Sequence, residues 1–416
     1  MHILLIHQNF AALDEPGGTR HHELARYLVE HGHHVTVITS PVSYLTGTAQ
    51  GRRRSYRPRR SYRPRLLWIE RQEQGGITFL RIYAYPALHH SFVQRVFSFF
   101  SFMASSFLAG LGVRDVGLVW GTSPPIFQGV TAWALARLKR APFLFEVRDL
   151  WPAFAVGVGV LRQPVLIRAS EWLERFLYRH ADRVMVNSPG FLAHVKERGA
   201  RRVELIPNGA DPRMFDPQAS GAEFRSQNGL EGKYLALYAG AHGMSNDLEV
   251  VLEAASRLRQ RPEIAIVLLG DGKEKPALVK RALDLGLDNV HFLPPVPKTD
   301  MPQALAAADA CIAILKPIPL YATVYPNKVF DYMAAGRPVV LAIDGVIREV
   351  IEAAGAGIYT PAGDAEALAN AILSLADDRQ AGRAMGLRGR QVVEQRFDRA
   401  VLAEDLARLM EEMGAE

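Results

Sequence analysis

Cysteine is all but missing from this 416-residue chain: Cys311 stands alone, inside the apolar run from Ala310 to Leu315. One thiol can form neither an internal disulfide nor a thiolate metal cluster, so a disulfide scaffold is excluded and Cys311 reads as an inert core residue in a reducing compartment. An export signal is lacking as well. No basic region precedes the first apolar stretch, His2 to His7, and no small-residue cleavage site follows it; it reads as a first strand. Long uncharged runs are scarce. Val96 to Val113 carries no charge, but four serines and two glycines interrupt it and Arg114-Asp115 end it, which predicts a buried or surface-docked helix and not a membrane span. These absences point to a cytoplasmic protein, peripheral at the inner face of a membrane at most.

Apolar residues make up 49% and charged residues 22%, the balance of an ordinary globular chain long enough for more than one domain. The net charge of +6 suits an anionic partner, yet its source is local. Eight arginines and no acid lie between Arg52 and Arg65, in a tandem Arg-Ser-Tyr-Arg-Pro-Arg repeat whose Pro58 and Pro64 block helix and interior strand. The segment reads as an exposed loop, a tolerated duplication or a contact with an anionic membrane surface. Nucleic-acid binding is not expected.

Short β-rich runs alternate with longer helical ones, the pattern of parallel sheets with crossover helices. The first half predicts strands at about 2–7, 34–39, 78–83, 115–120, 142–147, 183–188 and 202–206. Turn residues from Ile206 to Asp211 and a polar stretch to Lys233 break the rhythm before a second series, with strands near 234–239, 264–269, 289–293, 310–315, 338–342 and 357–359. The expected class is α/β with two domains, 1–205 and 206–396, and closing helical sequence at about 397–416. Ligands gather at the carboxyl ends of parallel strands, so the loops there are the candidate sites.

After the first strand comes Pro16-Gly17-Gly18-Thr19-Arg20, where two glycines let a backbone approach a ligand and a helix start offers N–H groups to an anion. The third glycine of the dinucleotide fingerprint is missing, which argues against an NAD enzyme. Arg148 and Asp149 stand at the tip of another strand, turned by Trp151-Pro152. In the second half, Gly240 follows a strand in Tyr238-Ala-Gly-Ala-His-Gly243, and Gly270-Asp-Gly272 follows the next, with Lys273 and Lys275 at a helix start. A cation there opposes the helix dipole, and an anionic ligand relieves that. The most informative segment runs from Thr323 to Val340. Asp331 sits in a helix whose Val329, Phe330 and Met333 look buried, so its carboxylate must meet hydrogen-bond donors. With Lys328 near the helix start, this arrangement suits a polyhydroxylated phosphate ester.

Taken with Arg148-Asp-Leu-Trp-Pro152, Ile206-Pro-Asn-Gly-Ala-Asp211, Leu269-Gly-Asp-Gly272 and Pro326-Asn-Lys through Gly336-Arg-Pro338, these motifs give a chain that resembles the retaining glycosyltransferases of family 4, in their bacterial surface-polysaccharide branch. The resemblance implies a GT-B fold, two Rossmann-like domains facing each other across a cleft. The first would bind the acceptor and be joined by the closing helix; the second would bind the donor. It implies sugar transfer from a nucleotide-sugar, UDP-linked by resemblance, to an acceptor hydroxyl, for which a lipid-diphosphate-linked glycan is the expectation. The family's paired glutamates fall on Thr323 and Asp331. By resemblance Asp331 accepts from ribose hydroxyls, while Thr323, Val324, Tyr325, Asn327 and Lys328 face sugar and diphosphate. Gly17, Gly18, Arg20, Gly240, Lys273 and Lys275 complete the donor set. The family is generally metal-independent, and no Asp-x-Asp occurs in the sequence, so no metal or other cofactor is expected. Arg148, Asp149 and Lys328 are the catalytic candidates, with Asp149 orienting or deprotonating the acceptor. Two alternatives share the fold: an isomerase like the UDP-N-acetylglucosamine 2-epimerases, and a non-catalytic scaffold whose nucleotide contacts have decayed.

Overall fold

The structure is a computed structural model that describes residues 1–41, 69–85 and 92–415; the arginine repeat, Arg52 to Arg65, lies outside the described residues. The chain divides into two compact units. The first comprises Met1–Ala12, Gly18–Pro207 and Ala400–Glu416, the second Leu13–Gly17 and Asn208–Arg399.

In the first unit the elements follow as β1 (His2–Ile6), α1 (Arg20–Glu30), β2 (His34–Thr39), β3 (Ile69–Gln74), β4 (Ile77–Ile82), α2 (Phe92–Leu111) and β5 (Leu118–Ser123). Then come α3 (Phe127–Lys139), β6 (Phe143–Val147), α4 (Ala153–Gly157), α5 (Pro164–His180), β7 (Arg183–Val186), α6 (Leu192–Glu197) and β8 (Val203–Leu205). Among the described residues the strands form one sheet in the order β3-β4-β2-β1-β5-β6-β7-β8. All pairs are parallel except β3 with β4. The parallel strands are apolar on both faces because helices cover both. β3, which the hydrophobic pattern did not predict, is the exception. It reads Ile-Glu-Arg-Gln-Glu-Gln, is largely exposed, and turns into β4 through Gly75 and Gly76, both at positive φ (58° and 78°). Two such residues make the hairpin turn whose twist matches the flanking strands. Its charges suit an edge strand that must not recruit another chain.

The second unit begins with α7 (Ala222–Gln227), inside the stretch read from sequence as polar linker. Then follow β9 (Tyr234–Ala239), α8 (Leu248–Arg257), β10 (Ile264–Leu269), α9 (Lys275–Asp284), β11 (Val290–Leu293), α10 (Met301–Ala307), β12 (Ala310–Ile314) and α11 (Asn327–Ala334). After them come β13 (Val339–Ala342), α12 (Val346–Ala354), β14 (Gly357–Tyr359), α13 (Ala365–Asp377) and α14 (Arg379–Arg396). The sheet is parallel throughout, in the order β11-β10-β9-β12-β13-β14. Its two faces feed two cores with the strand period of 2. Leu235, Leu237 and Ala239 join one; Tyr234, Ala236 and Tyr238 join the other. Asp364 and Asp378 cap α13 and α14 by accepting from Ala367 N (2.8 Å) and Ala381 N (2.9 Å). In each sheet the strand order reverses beside the first strand, at β1/β5 and at β9/β12, which sets the loops after these strands apart as ligand positions.

The last helix, α15 (Arg399–Ala415), belongs from Ala400 onward to the first unit. Its Leu402, Ala403, Leu406, Met410 and Met413 lie in one core with Ile3 and Leu5 of β1 and Leu24 and Leu28 of α1. No helix among the described residues is long and apolar enough to cross a membrane, α2 included. Because Met410 is fully buried there, Met410→Ala is expected to destabilise the chain by about 2–5 kcal/mol, read as a lower denaturant midpoint at unchanged slope.

Candidate functional site

In the second unit, the loops after β9 and β10 touch backbone to backbone. Gly240 N donates to Leu269 O (2.9 Å), His242 N to Asp271 O (2.8 Å), and Glu274 N to His242 O (3.0 Å). Only glycine fits this contact. A Cβ on Gly270, at φ +150°, would stand 1.9 Å from Gly240 O, and one on Gly240, also at +150°, would stand 2.6 Å from Lys328 Nζ. The glycines read from sequence as room for a ligand thus also make room for each other and for a lysine.

That lysine is the centre of the second unit's constellation. Lys328 lies in the first turn of α11, and its ammonium sits 3.8 Å from the centroid of the Tyr238 ring. Nζ is buried and has no hydrogen-bond acceptor among the described residues. Burial pulls its pKa down to about 7. Among the described residues the aromatic face offers the compensation, a cation–π contact weaker than a hydrogen-bonded ion pair. A desolvated cation at a helix N-terminus is a socket for an anion. One turn further, Asp331 Oδ2 meets Lys298 Nζ at 2.6 Å, so the donor that its burial demanded is a lysine from the loop after β11. Nothing in local spacing pointed to Lys298; its partner lies a whole α/β unit away in sequence.

The other candidates divide. Gly240 lies at the socket, and Asn327 is held in place, its Oδ1 accepting from Arg399 (2.9 Å). Lys273 is exposed. Lys275, expected to face phosphate, instead donates to Gly270 O (2.7 Å) and Leu293 O (2.9 Å), because those carbonyls lie within reach of a lysine at the start of α9. Val324 N, expected as a free donor, bonds to Tyr321 O (3.2 Å) in the 3₁₀ turn Pro319–Thr323. The Thr323 hydroxyl bonds to Leu320 O (2.7 Å) in that same turn. Tyr325 packs its ring on Phe330 and Phe397, and its carbonyl accepts from Asn208. His242, which the sequence reading passed over, is buried behind Gly240 with both ring nitrogens unpartnered among the described residues. Burial, then the Lys275 and Lys328 charges, lower it to about 4, so it is neutral at pH 7.

In the first unit the carboxyl ends of β1 and β6 carry a cluster that the sequence reading also missed. Glu146, fully buried in β6, accepts from Arg20 Nε at 3.1 Å and pairs with His21 Nε2 at 2.5 Å. Burial alone would raise its pKa, but His21 and Arg20 outweigh that and hold it well below the carboxylate range. Arg20 also donates to Pro207 O and Ile206 O (2.9 Å each). It was expected to face the donor diphosphate; its guanidinium is engaged here because a buried Glu146 needs a permanent cation. Burial lowers His21 to about 4 against the pull of Glu146, so near neutrality a neutral ring donates from Nε2. The His7 ring lies 4.3 Å away with no hydrogen-bond partner among the described residues. The signal available was His21 beside Arg20, both starting a helix after a strand that ends in histidine. Gly17 groups with the second unit and Gly18 with the first; a Cβ on Gly18 would meet nothing within 4 Å.

Arg148 and Asp149 follow β6. Arg148 donates to Pro124 O (3.0 Å), and its Nε is buried without an acceptor among the described residues. The Asp149 carboxylate is half-buried and makes no hydrogen bond among the described residues; burial raises its pKa to about 6, opposed by Arg148. Among the described residues no three His, Cys, Asp or Glu side chains group as metal ligands. A carboxyl whose folded pKa exceeds its unfolded value loses stability as pH rises from about 4 through about 6. Asp149→Asn is therefore expected to raise the melting temperature by roughly a few degrees at pH 8 and to leave it unchanged at pH 4, by calorimetry.

Two family matches cover most of these elements: the glycosyl transferase 4-like domain over residues 17–209 and glycosyl transferases group 1 over residues 233–378. The chain is 27% identical over 329 residues to WcaI, the glycosyl transferase assigned to colanic acid biosynthesis in Escherichia coli (strain K12), covering 77% of each chain. Its fold matches sucrose-phosphate synthase from Thermosynechococcus elongatus with a TM-score of 0.76 at 20% identity, over 100% of this chain and 99% of that one. It also matches Anabaena Alr3699/HepE, solved in complex with UDP-glucose, with a TM-score of 0.71 at 19% identity, over 99% of this chain and 100% of that one. With both parallel-sheet units matched to the two domains of that group, the chain belongs to the group 1 glycosyltransferases of the GT-B fold.

Proposed function

We propose that this glycosyltransferase moves a sugar from a UDP-sugar to an acceptor hydroxyl of a growing surface polysaccharide, with retention and without a metal. The carrying observation is Lys328, an ammonium buried against Tyr238 with no acceptor among the described residues, at the start of a helix that presents Asp331 one turn on. A nucleoside diphosphate supplies phosphate oxygens for the ammonium and the helix N–H groups, and offers vicinal hydroxyls to the carboxylate that Lys298 holds in place. The likeness to WcaI supports the polysaccharide, and the UDP-glucose complex of HepE supports the nucleotide.

In this reading the leaving diphosphate gathers negative charge as the glycosidic bond to the donor breaks. Lys328 and the first N–H groups of α11 stabilise it electrostatically, the part a metal ion plays elsewhere. The acceptor hydroxyl attacks on the face the diphosphate leaves, and its proton passes to a leaving-phosphate oxygen. Asp149, ionised above pH 6, orients that hydroxyl. A lipid-diphosphate-linked acceptor fits α2, which exposes Phe97 and Phe100.

Three tests follow from this. Bound diphosphate restores the ammonium charge, so UDP binding at pH 8 is expected to take up close to one proton, measured by calorimetry in buffers of different ionisation enthalpy. In Lys328→Met that uptake disappears and UDP binds roughly a hundredfold more weakly; unchanged affinity overturns the reading. Asp149→Asn should bind UDP normally yet transfer sugar roughly a hundredfold more slowly to a glycan acceptor, with mass detection of product. Product formed from donor alone would instead mark an isomerase. Phe97→Ser with Phe100→Ser should reduce flotation with anionic vesicles while leaving UDP affinity intact.

A further inference from the structure

A second feature of the second unit lies at the opposite end of its sheet. The amino ends of β9, β12 and β13 border a cavity of about 600 Å³, a volume typical of small-molecule sites. Its charge is one-sided. Asp309 is the single carboxylate among the lining residues, and it is taken up by Arg225 (2.8 Å) and the backbone N–H of Leu235 (2.7 Å). Lys233, also at the wall, donates to Pro262 O (2.6 Å).

That leaves Arg337, Arg379 and Arg383. Arg337 donates to Ala219 O (3.3 Å), but its Nε is buried with no acceptor among the described residues. Arg379 opens α14 with its guanidinium carbon 5.4 Å from the centroid of the Tyr234 ring, and Arg383 follows one turn later without a hydrogen bond or ion pair among the described residues. Two like charges at i and i+4 repel, and both sit at the helix end where the dipole favours anions. Sequence economy would place acids there. The fourth group is Tyr234 itself, 1% exposed, whose buried hydroxyl has no partner among the described residues. A buried hydroxyl left unbonded has given up its water without replacement. Repelling arginines, an orphaned guanidinium nitrogen and an orphaned hydroxyl around one cavity all lack the same thing, an oxyanion.

We propose that this cavity binds a small phosphorylated molecule, held by Arg337, Arg379 and Arg383 with the Tyr234 hydroxyl as a further donor. It is a second anion site, distinct from the Lys328 socket. β9 runs from Tyr234 at the cavity to Ala239 beside the socket, a span of about 17–20 Å for six residues. The two sites are joined by α11, which starts at the socket and leads through Gly336 to Arg337. An occupant of the cavity therefore touches the far end of the donor helix.

The test is calorimetric titration of the whole chain with inorganic pyrophosphate in the presence of saturating UDP, which occupies the socket. Pyrophosphate is expected to bind under these conditions in the native chain and in Lys328→Met. Binding is expected to weaken roughly tenfold or more in Arg379→Ser with Arg383→Ser, and by a smaller factor in Tyr234→Phe. Both arginines are exposed, and their removal relieves a repulsion, so the double variant should melt no lower than the native chain. Pyrophosphate heat that vanishes once UDP is present, equal affinity in the double variant, or an equal response to sulfate at matched ionic strength overturns the proposal. Because the probe is read with the socket filled or disabled, failure here leaves the UDP reading standing, and failure of Lys328→Met to lose UDP leaves this one standing.

Discussion

A cation kept out of water with no acceptor among the described residues is the constraint around which the second unit's loops are arranged. An ammonium in an apolar setting is costly unless it is neutralised or paired. The fold accepts that cost at Lys328 and surrounds it with rigid elements. Tyr238 is fixed by its hydroxyl bond to Ala241 O (2.7 Å), and Gly240 and Gly270 lock two loops into one surface. The neighbouring His242 is kept neutral first by burial and then by the Lys275 and Lys328 charges. Lys328 is therefore held in a rigid frame, which is what electrostatic preorganisation would require of the proposed donor site.

The first unit solves the opposite problem. One of its buried charges, Glu146, is answered by Arg20 and His21, and Arg20 reaches on to two backbone carbonyls. Glu146 is thus a satisfied charge, and Lys328 is one without an acceptor among the described residues. Both lie at the carboxyl ends of parallel strands, where loop backbones rather than side-chain layers set the geometry.

How much of this could be read from sequence follows from which interactions are local. Parallel strands buried on both faces write themselves as continuous apolar runs, so β9, β10 and β14 fall on the ranges read from the pattern. β3 escaped because an edge strand needs no apolar face, and α7 because six residues are too few to show a helical period. The site shows the same division. Lys328 and Asp331 were legible since a helix start and its first turn place them together. Lys298 and Glu146 were not, since each meets its partner across a long stretch of intervening sequence. Arg20 and Lys275 were legible as cations, while the carboxylate and carbonyls that engage them were not. Whether a cation is free depends on which carbonyls the tertiary fold brings near it, and no spacing rule encodes that.

The position of α15 bears on how the chain is made. The core that begins with Ile3 and Leu5 is completed only by Leu402 to Met413, after the whole of Asn208–Arg399 has been laid down. At ribosomal speeds of about 5–20 residues per second, the sheet of the first unit waits on the order of ten seconds or more with the groove for its last helix bare. The unit encoded first is thus finished last, and during that interval its exposed apolar strip is the part of the nascent chain most in need of a chaperone's cover.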